Sequence, residues 1–203
     1  MLYSHYMIIG LCGRIGSGKG TAADLLVSEH GFTKASFADS LKDGVSAMFG
    51  WPRHLLEGDT AESRDWREQT DEFWTKETGR TITPRLVLQE VGTDCMRSGF
   101  YDGVWISLLK KRIQESPGTS WVIPDVRFVN EVGAVRDLGG SVLEVLRGPS
   151  PKWVADFEEF RIEPNGVHES EWRYLEACIP DKIDNNGSLE DLKKTLSIVT
   201  QVF

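Results

Sequence analysis

The chain has 203 residues, 40% of them hydrophobic and 27% charged, which suffices for one α/β core. Its formal net charge is −8, and an acidic chain lacks the Lys/Arg surplus that sequence-independent binding to nucleic acid requires. Cys12, Cys95 and Cys178 are scattered, with no Cys-x-x-Cys pair. This argues against a zinc site or disulfide framework and fits a reducing, cytoplasmic compartment.

The apolar run Met7–Cys12 is bounded by glycine and lacks a basic flank. It reads as a strand buried on both faces rather than a signal peptide, and no run is long enough to span a bilayer. A helix follows, with Ala22, Leu25 and Leu26 on one face and Gly31 as its stop. Phe32 to Phe37 reads as a second strand. Ser40 to Phe49 reads as a helix turning Leu41, Val45 and Met48 to the core. Residues 51–80 carry eight acidic and five basic residues and three tryptophans without a clean period. They read as a mobile or inserted region, taken as 51–82. Thr83 and Pro84 form an N-cap and first-turn pair for a helix running toward Arg97. Another helix spans about 103–115, with Trp105, Leu108, Leu109 and Ile113 at helical spacing.

Trp121 to Ile123 reads as a short buried strand, Asn130 to Leu138 as a helix and Ser141 to Leu146 as a strand. Residues 147–180 hold four prolines and look irregular; 148–172 has the character of a lid. Lys182 to Asp184 gives a last strand. Ser188 with Asp191 forms a capping box for a helix burying Leu189, Leu192, Leu196 and Val199. Strands alternating with helices imply a single three-layer α/β domain over 1–203, a parallel sheet of about five strands flanked by helices.

The segment Gly13-Arg14-Ile15-Gly16-Ser17-Gly18-Lys19-Gly20-Thr21 fits G-x-x-x-x-G-K between a strand and a helix. Glycines let successive N–H groups point inward at phosphate oxygens, the helix N-terminus adds partial positive charge, and Lys19 supplies a full one. Gly20 stands where many such loops carry a Ser/Thr that ligates magnesium; Thr21 follows one residue later. Asp125 closes the buried strand 121–123, where ligands bind in open α/β sheets, and Arg127 follows two residues on. Asp125 would hold Mg²⁺ through water or accept a hydrogen bond from an acceptor; a strand cap with a surface ion pair is the plainer alternative. Asp39 and Lys42 follow the second strand, as ligand contacts or as a helix cap and a solvated charge. Arg85 and Gly92 are seven residues apart on one helix face, with Thr93 and Arg97 beyond, either an acceptor site or a kink with exposed arginines. His168, Glu169 and Glu171 lie close together but lack metal partners elsewhere, so they read as a lid contact rather than a metal site.

The GSGKGT form of residues 16–21 is similar to that of nucleoside monophosphate kinases such as adenylate kinase. The wider set GRIGSGKGTAAD (13–24), FADSLKD (37–43), LQEVGTD (88–94), Trp105, VIPDVRFVNEV (122–132), GGSVLEVLR (139–147), HESE (168–171) and IDNNGSLEDL (183–192) resembles the deoxynucleoside monophosphate kinases of bacteriophages, including T-even phages. More distantly it resembles the phosphomevalonate kinases. The resemblance implies a P-loop fold and transfer from ATP, with Mg²⁺, to a deoxynucleoside monophosphate. Residues Gly13 to Thr21 except Ile15 would hold the donor's phosphates, and Asn185 and Gly187 its adenine. Asp39, Lys42, Arg67, Arg85, Gly92, Thr93, Trp105, Asp125, Arg127 and Glu131 would serve the acceptor, with Lys19, Asp125 and Arg127 catalytic. The partners implied are small molecules, with no nucleic acid or membrane, a possible homodimer, and the host cytoplasm if phage-encoded. The rivals are a kinase of another phosphorylated metabolite and an ATP-binding module without transfer.

Overall fold

The computed structural model describes residues 6–167 and 169–202. The chain forms two compact units: one from the residues up to Ser36 together with those from Lys110 onward, the other Phe37–Leu109.

The first unit is built on a five-stranded parallel sheet of order β2-β3-β1-β4-β5. Its strands are β1 (Ile8–Cys12), β2 (Thr33–Lys34), β3 (Trp121–Ile123), β4 (Ser141–Leu146) and β5 (Lys182–Asp184). β1 is central, pairing with β3 through Ile9 and Val122 and with β4 through Gly10 and Val142. All five of its residues are buried, as a strand covered on both faces requires. Helices α1 (Lys19–His30) and α9 (Leu189–Val202) cover one face, where Ala22, Leu26, Leu192, Leu196 and Val199 pack on Ile9, Leu11, Leu143, Val145 and Ile183. α7 (Val129–Asp137) packs on β1 and β4, and α8 (Lys152–Phe160) lies within the segment expected to be irregular. Gly31 stops α1 in the left-handed conformation, and Ser188 and Asp191 cap α9 reciprocally.

Two side chains expected in the core lie outside it: Leu189 is 53% exposed and Met48 62%. Each sits at the rim of its helix's apolar stripe, where the 3.6-residue period does not distinguish inside from edge. β2 is two residues long rather than six. It is an edge strand with both side chains exposed, and after Ala35 the chain turns so that the Ser36 hydroxyl donates to Asp125.

The second unit contains α2 (Asp39–Phe49), α3 (Ala61–Glu68), α4 (Glu72–Thr78) and α5 (Pro84–Gln89). α5 continues as a π-helical stretch, Glu90–Ser98, and α6 (Val104–Gln114) carries the chain onward. Residues 51–80, which show no period in sequence, fold as a 3₁₀ turn and short capped helices. Thr60 caps α3 and Asp71 caps α4, accepting from the N–H groups of Ser63 and Trp74. An aromatic core of Phe49, Trp51, Trp66 and Trp74 fastens them: Phe49 stacks on Trp51 at 4.6 Å and meets Trp74 edge-on at 5.1 Å. Val45, Leu56, Ile82 and Val87 complete it.

Candidate active site

The loop from Gly13 to Gly18 leaves the carboxyl end of β1, at the point where the strand order reverses. Gly13 has φ +134°, and a Cβ there would lie 2.5 Å from the Val145 carbonyl; only glycine fits. Gly18 has φ +96°, and a Cβ would lie 2.2 Å from Asn185 Nδ2. That amide is buried and donates to the Ser17 carbonyl at 2.9 Å. Asn185 therefore holds the loop's shape from beneath, and its own N–H donates to Leu146.

Gly18 is the N-cap of α1 and supplies no side-chain cap, and the helix's first turn has no acidic residue. Its first N–H groups are thus left to an external acceptor. Ser17 Oγ is buried without a hydrogen-bond partner among the described residues. Lys19 folds back, donating from Nζ to the carbonyls of Gly13 at 2.5 Å and Arg14 at 2.8 Å. Burial and the nearby Arg127 hold its pKa below the ordinary lysine value, and Glu171 partly opposes this. Arg14 turns away, donating to the carbonyls of Arg147 and Pro149 at 3.2 and 3.3 Å. Asn186 Oδ1 accepts from the Gly148 N–H at 2.7 Å, joining the β5–α9 loop that carries Gly187 to the 147–149 segment.

Asp125 closes β3 and accepts from Ser36 Oγ at 2.6 Å. Glu131 is buried, and its Oε2 accepts from the N–H groups of Arg127 and Phe128 at 2.8 and 3.1 Å, capping α7 and fixing the loop that presents Arg127. Arg127 itself is exposed, with Nη1 3.7 Å from the Glu171 carboxylate. His168 lies outside the described residues.

In the second unit, Lys42 Nζ donates to Glu57 at 2.6 Å, and Arg53 joins Glu57, Asp43 and Asp39. Burial would push the Glu57 carboxyl up, but Lys42 and Arg53 hold it below the ordinary value. Gly58, at φ +71°, lets the Arg67 guanidinium lie against the chain, since a Cβ there would meet it at about van der Waals overlap. Arg67 Nε is buried without a hydrogen-bond partner among the described residues, and burial together with the Arg85 charge lowers its pKa. Arg85 pairs with Glu68 at 2.9 Å on the surface. Gly92 lies in the π-helical stretch, packed against Leu41, and its carbonyl accepts from Trp105 Nε1 at 3.0 Å; Thr93 is exposed. π-helical turns recur at functional sites because they misalign a helix locally.

Lys42 and Asp39 thus belong to one charged network through Glu57 and Arg53, Arg67 feels the Glu57 charge without bonding to it, and Gly92 and Trp105 form a buried joint. Sequence reasoning passed over Arg53, Glu57 and Gly58. The signal lay in a glycine amid an acidic run, and nothing local marked it as the seat of an arginine.

No protein-family model matches the chain. It is 33% identical over 153 residues to a protein of Acanthamoeba polyphaga mimivirus assigned as a deoxynucleotide monophosphate kinase, spanning 70% of this chain and 74% of that one. It is 26% identical over 180 residues to the deoxynucleoside-5′-monophosphate kinase of Escherichia phage T5, spanning 64% of this chain and 72% of that one. Among solved structures, TT1252 from Thermus thermophilus superposes with a TM-score of 0.50 at 22% identity, covering 98% of this chain and 99% of that one. That likeness concerns the fold. The phosphate loop on a five-stranded parallel sheet and the extent of the viral match together place the chain in the deoxynucleoside monophosphate kinase family.

Proposed function

We propose that the chain moves the γ-phosphate of ATP onto the 5′-phosphate of a deoxynucleoside monophosphate, giving ADP and the diphosphate. The observation that carries this reading is the start of α1. An uncapped helix N-terminus free of acidic residues, behind a glycine loop with an orphaned buried hydroxyl, is built for polyphosphate.

The donor set fits the nucleotide: the loop amides, Ser17 and Lys19 receive the β- and γ-phosphates, with Gly16, Gly20 and Thr21 completing the cradle. An added Cβ at Gly16 or Gly20 would meet nothing, so the approach is open. Asn185 supports the loop, and Gly187 lies beside the base. Magnesium fits less directly, because Gly20 has no hydroxyl; Asp125 would hold it through water. The ion supplies charge neutralisation on the transferring phosphate. Arg127 delivers a planar fork of donors to that phosphate, and Glu131 sets the loop on which it stands.

Arg67 supports an acceptor phosphate in the second unit. A half-buried guanidinium whose Nε has no partner among the described residues, made less comfortable by Arg85, gains from a dianion. Lys42 and Arg85 would exchange their present carboxylates for it, and Gly92, Thr93 and Trp105 would shape the base side, with Asp39 steadying Arg53. The acceptor phosphate is already a nucleophile near neutral pH, so no general base is required. Catalysis rests on positioning and charge neutralisation. Residues 148–172 act as a lid that excludes water.

The test is ADP release by the purified chain with ATP, Mg²⁺ and each of the four common deoxynucleoside monophosphates, with phosphomevalonate as a competing acceptor. Release that depends on a deoxynucleotide supports the reading; release that depends on phosphomevalonate alone, or on no acceptor, rejects it.

A further inference from the structure

Glu171 ends the 3₁₀ turn Glu169–Glu171, immediately before two anchored aromatic residues. Trp172 is buried, its ring 5.2 Å from that of Phe157 on α8. Tyr174 is buried, and its hydroxyl donates to Glu144 of β4 at 3.1 Å. Two such anchors within three residues hold the turn in place and aim its carboxylate. Glu171 Oε2 accepts from the Ile15 N–H of the phosphate loop at 2.8 Å, and Oε1 lies 3.7 Å from Arg127 Nη1. A loop amide and a guanidinium sharing one anion is the arrangement a nucleotide's phosphate oxygens would meet in such a loop.

We infer that Glu171 is a built-in competitor for the donor nucleotide's phosphate: its carboxylate occupies a loop amide and Arg127 in the free protein and has to leave before phosphate takes the same donors. The inference rests on the nucleotide-binding reading above. Donor binding is then an exchange of one anion for another, and the observed affinity is the intrinsic one reduced by the fraction of protein in which the carboxylate has left. A single small anion reaches few donors and competes poorly; a polyphosphate also engages the α1 N-terminus, Ser17 and Lys19. Trp172 and Tyr174 couple this exchange to the lid segment, because moving Glu171 displaces the residues beside it. The rival role is a clasp that stays closed on bound nucleotide, and it predicts the opposite sign.

The experiment is isothermal titration of ADP into the full chain, wild type against Glu171→Gln and Glu171→Ala, with hydrogen exchange of the Ile15 amide in the free proteins. The glutamine variant keeps shape and removes charge. The expected result is ADP affinity about tenfold tighter in both variants, the scale of one charge-assisted hydrogen bond lost from the competing state. The Ile15 amide then exchanges faster in the variants than in wild type. Unchanged or weaker ADP affinity in a Glu171→Gln protein that still melts cooperatively overturns the inference. Absence of ADP binding in wild type and variants alike is a different result, and it refutes the nucleotide-binding reading itself.

Discussion

The side-chain amide of Asn185 donates to the main-chain carbonyl of Ser17 at 2.9 Å, 168 residues away in sequence. This bond ties the loop before α9 to the phosphate loop before α1, and both groups are buried. Asn185→Ala leaves the Ser17 carbonyl unpaired, at a cost of about 1–3 kcal/mol. The expected outcome is a KM for ATP raised about tenfold with the acceptor KM unchanged, read in steady-state kinetics and checked by thermal denaturation. If Asn185 instead reads only the base, the free protein's stability does not change.

Lys19 carries charge at a site that penalises it until an anion arrives. Its pKa is lowered by burial and by Arg127. The folded chain therefore releases this proton at a lower pH than the unfolded chain, and stability contributed here rises with pH between the folded value and the ordinary 10.5. Lys19→Met should stabilise the free protein at neutral pH while lowering transfer at least about a hundredfold. A thermal midpoint below that of wild type would contradict the burial argument.

Gly58→Ala tests the seat of Arg67. The new methyl would meet the guanidinium, and the φ of +71° disfavours any Cβ. The expected result is loss of about 1 kcal/mol of stability and a deoxynucleotide KM raised severalfold, with the ATP KM constant. Equal increases in both KM values would argue that the site is merely distorted.

Glu57 gives a pH signature. Lys42 and Arg53 hold its pKa below 4.5 against the opposing effect of burial, so its stabilisation is present above that value and is lost as pH falls through the folded value. With its side chain 34% exposed, the contribution is about 1 kcal/mol after solvent screening. Glu57→Gln should be less stable than wild type at pH 7, and the difference should vanish in acid. A difference independent of pH would assign the effect to packing.

The sheet, the phosphate loop and its helix could be read directly because each is a local pattern: an apolar run, a glycine-rich turn, a 3.6-residue period. The capping pairs at Thr83 and Ser188 were equally local. Residues 51–80 were not legible, because their helices are short and their cohesion comes from Phe49, Trp51, Trp66 and Trp74 meeting across distant positions. The role of Asn185 was hidden for the same reason, whereas Glu131 caps α7 through bonds only three and four residues away. Both sit in motifs that suggest ligand contact, yet the structure spends their polar atoms on the backbone of Arg127 and Ser17. Glu171 could be placed in a lid segment, but its aim at Ile15 depends on the buried neighbours Trp172 and Tyr174.

Transfer of the terminal phosphate is followed with γ-³²P-labelled ATP. The wild-type chain, incubated with labelled ATP, Mg²⁺ and a deoxynucleoside monophosphate, should place the label in the β-position of the deoxynucleoside diphosphate, and Lys19→Ala should not. Label released only as inorganic phosphate, or transfer undiminished in Lys19→Ala, would contradict the account.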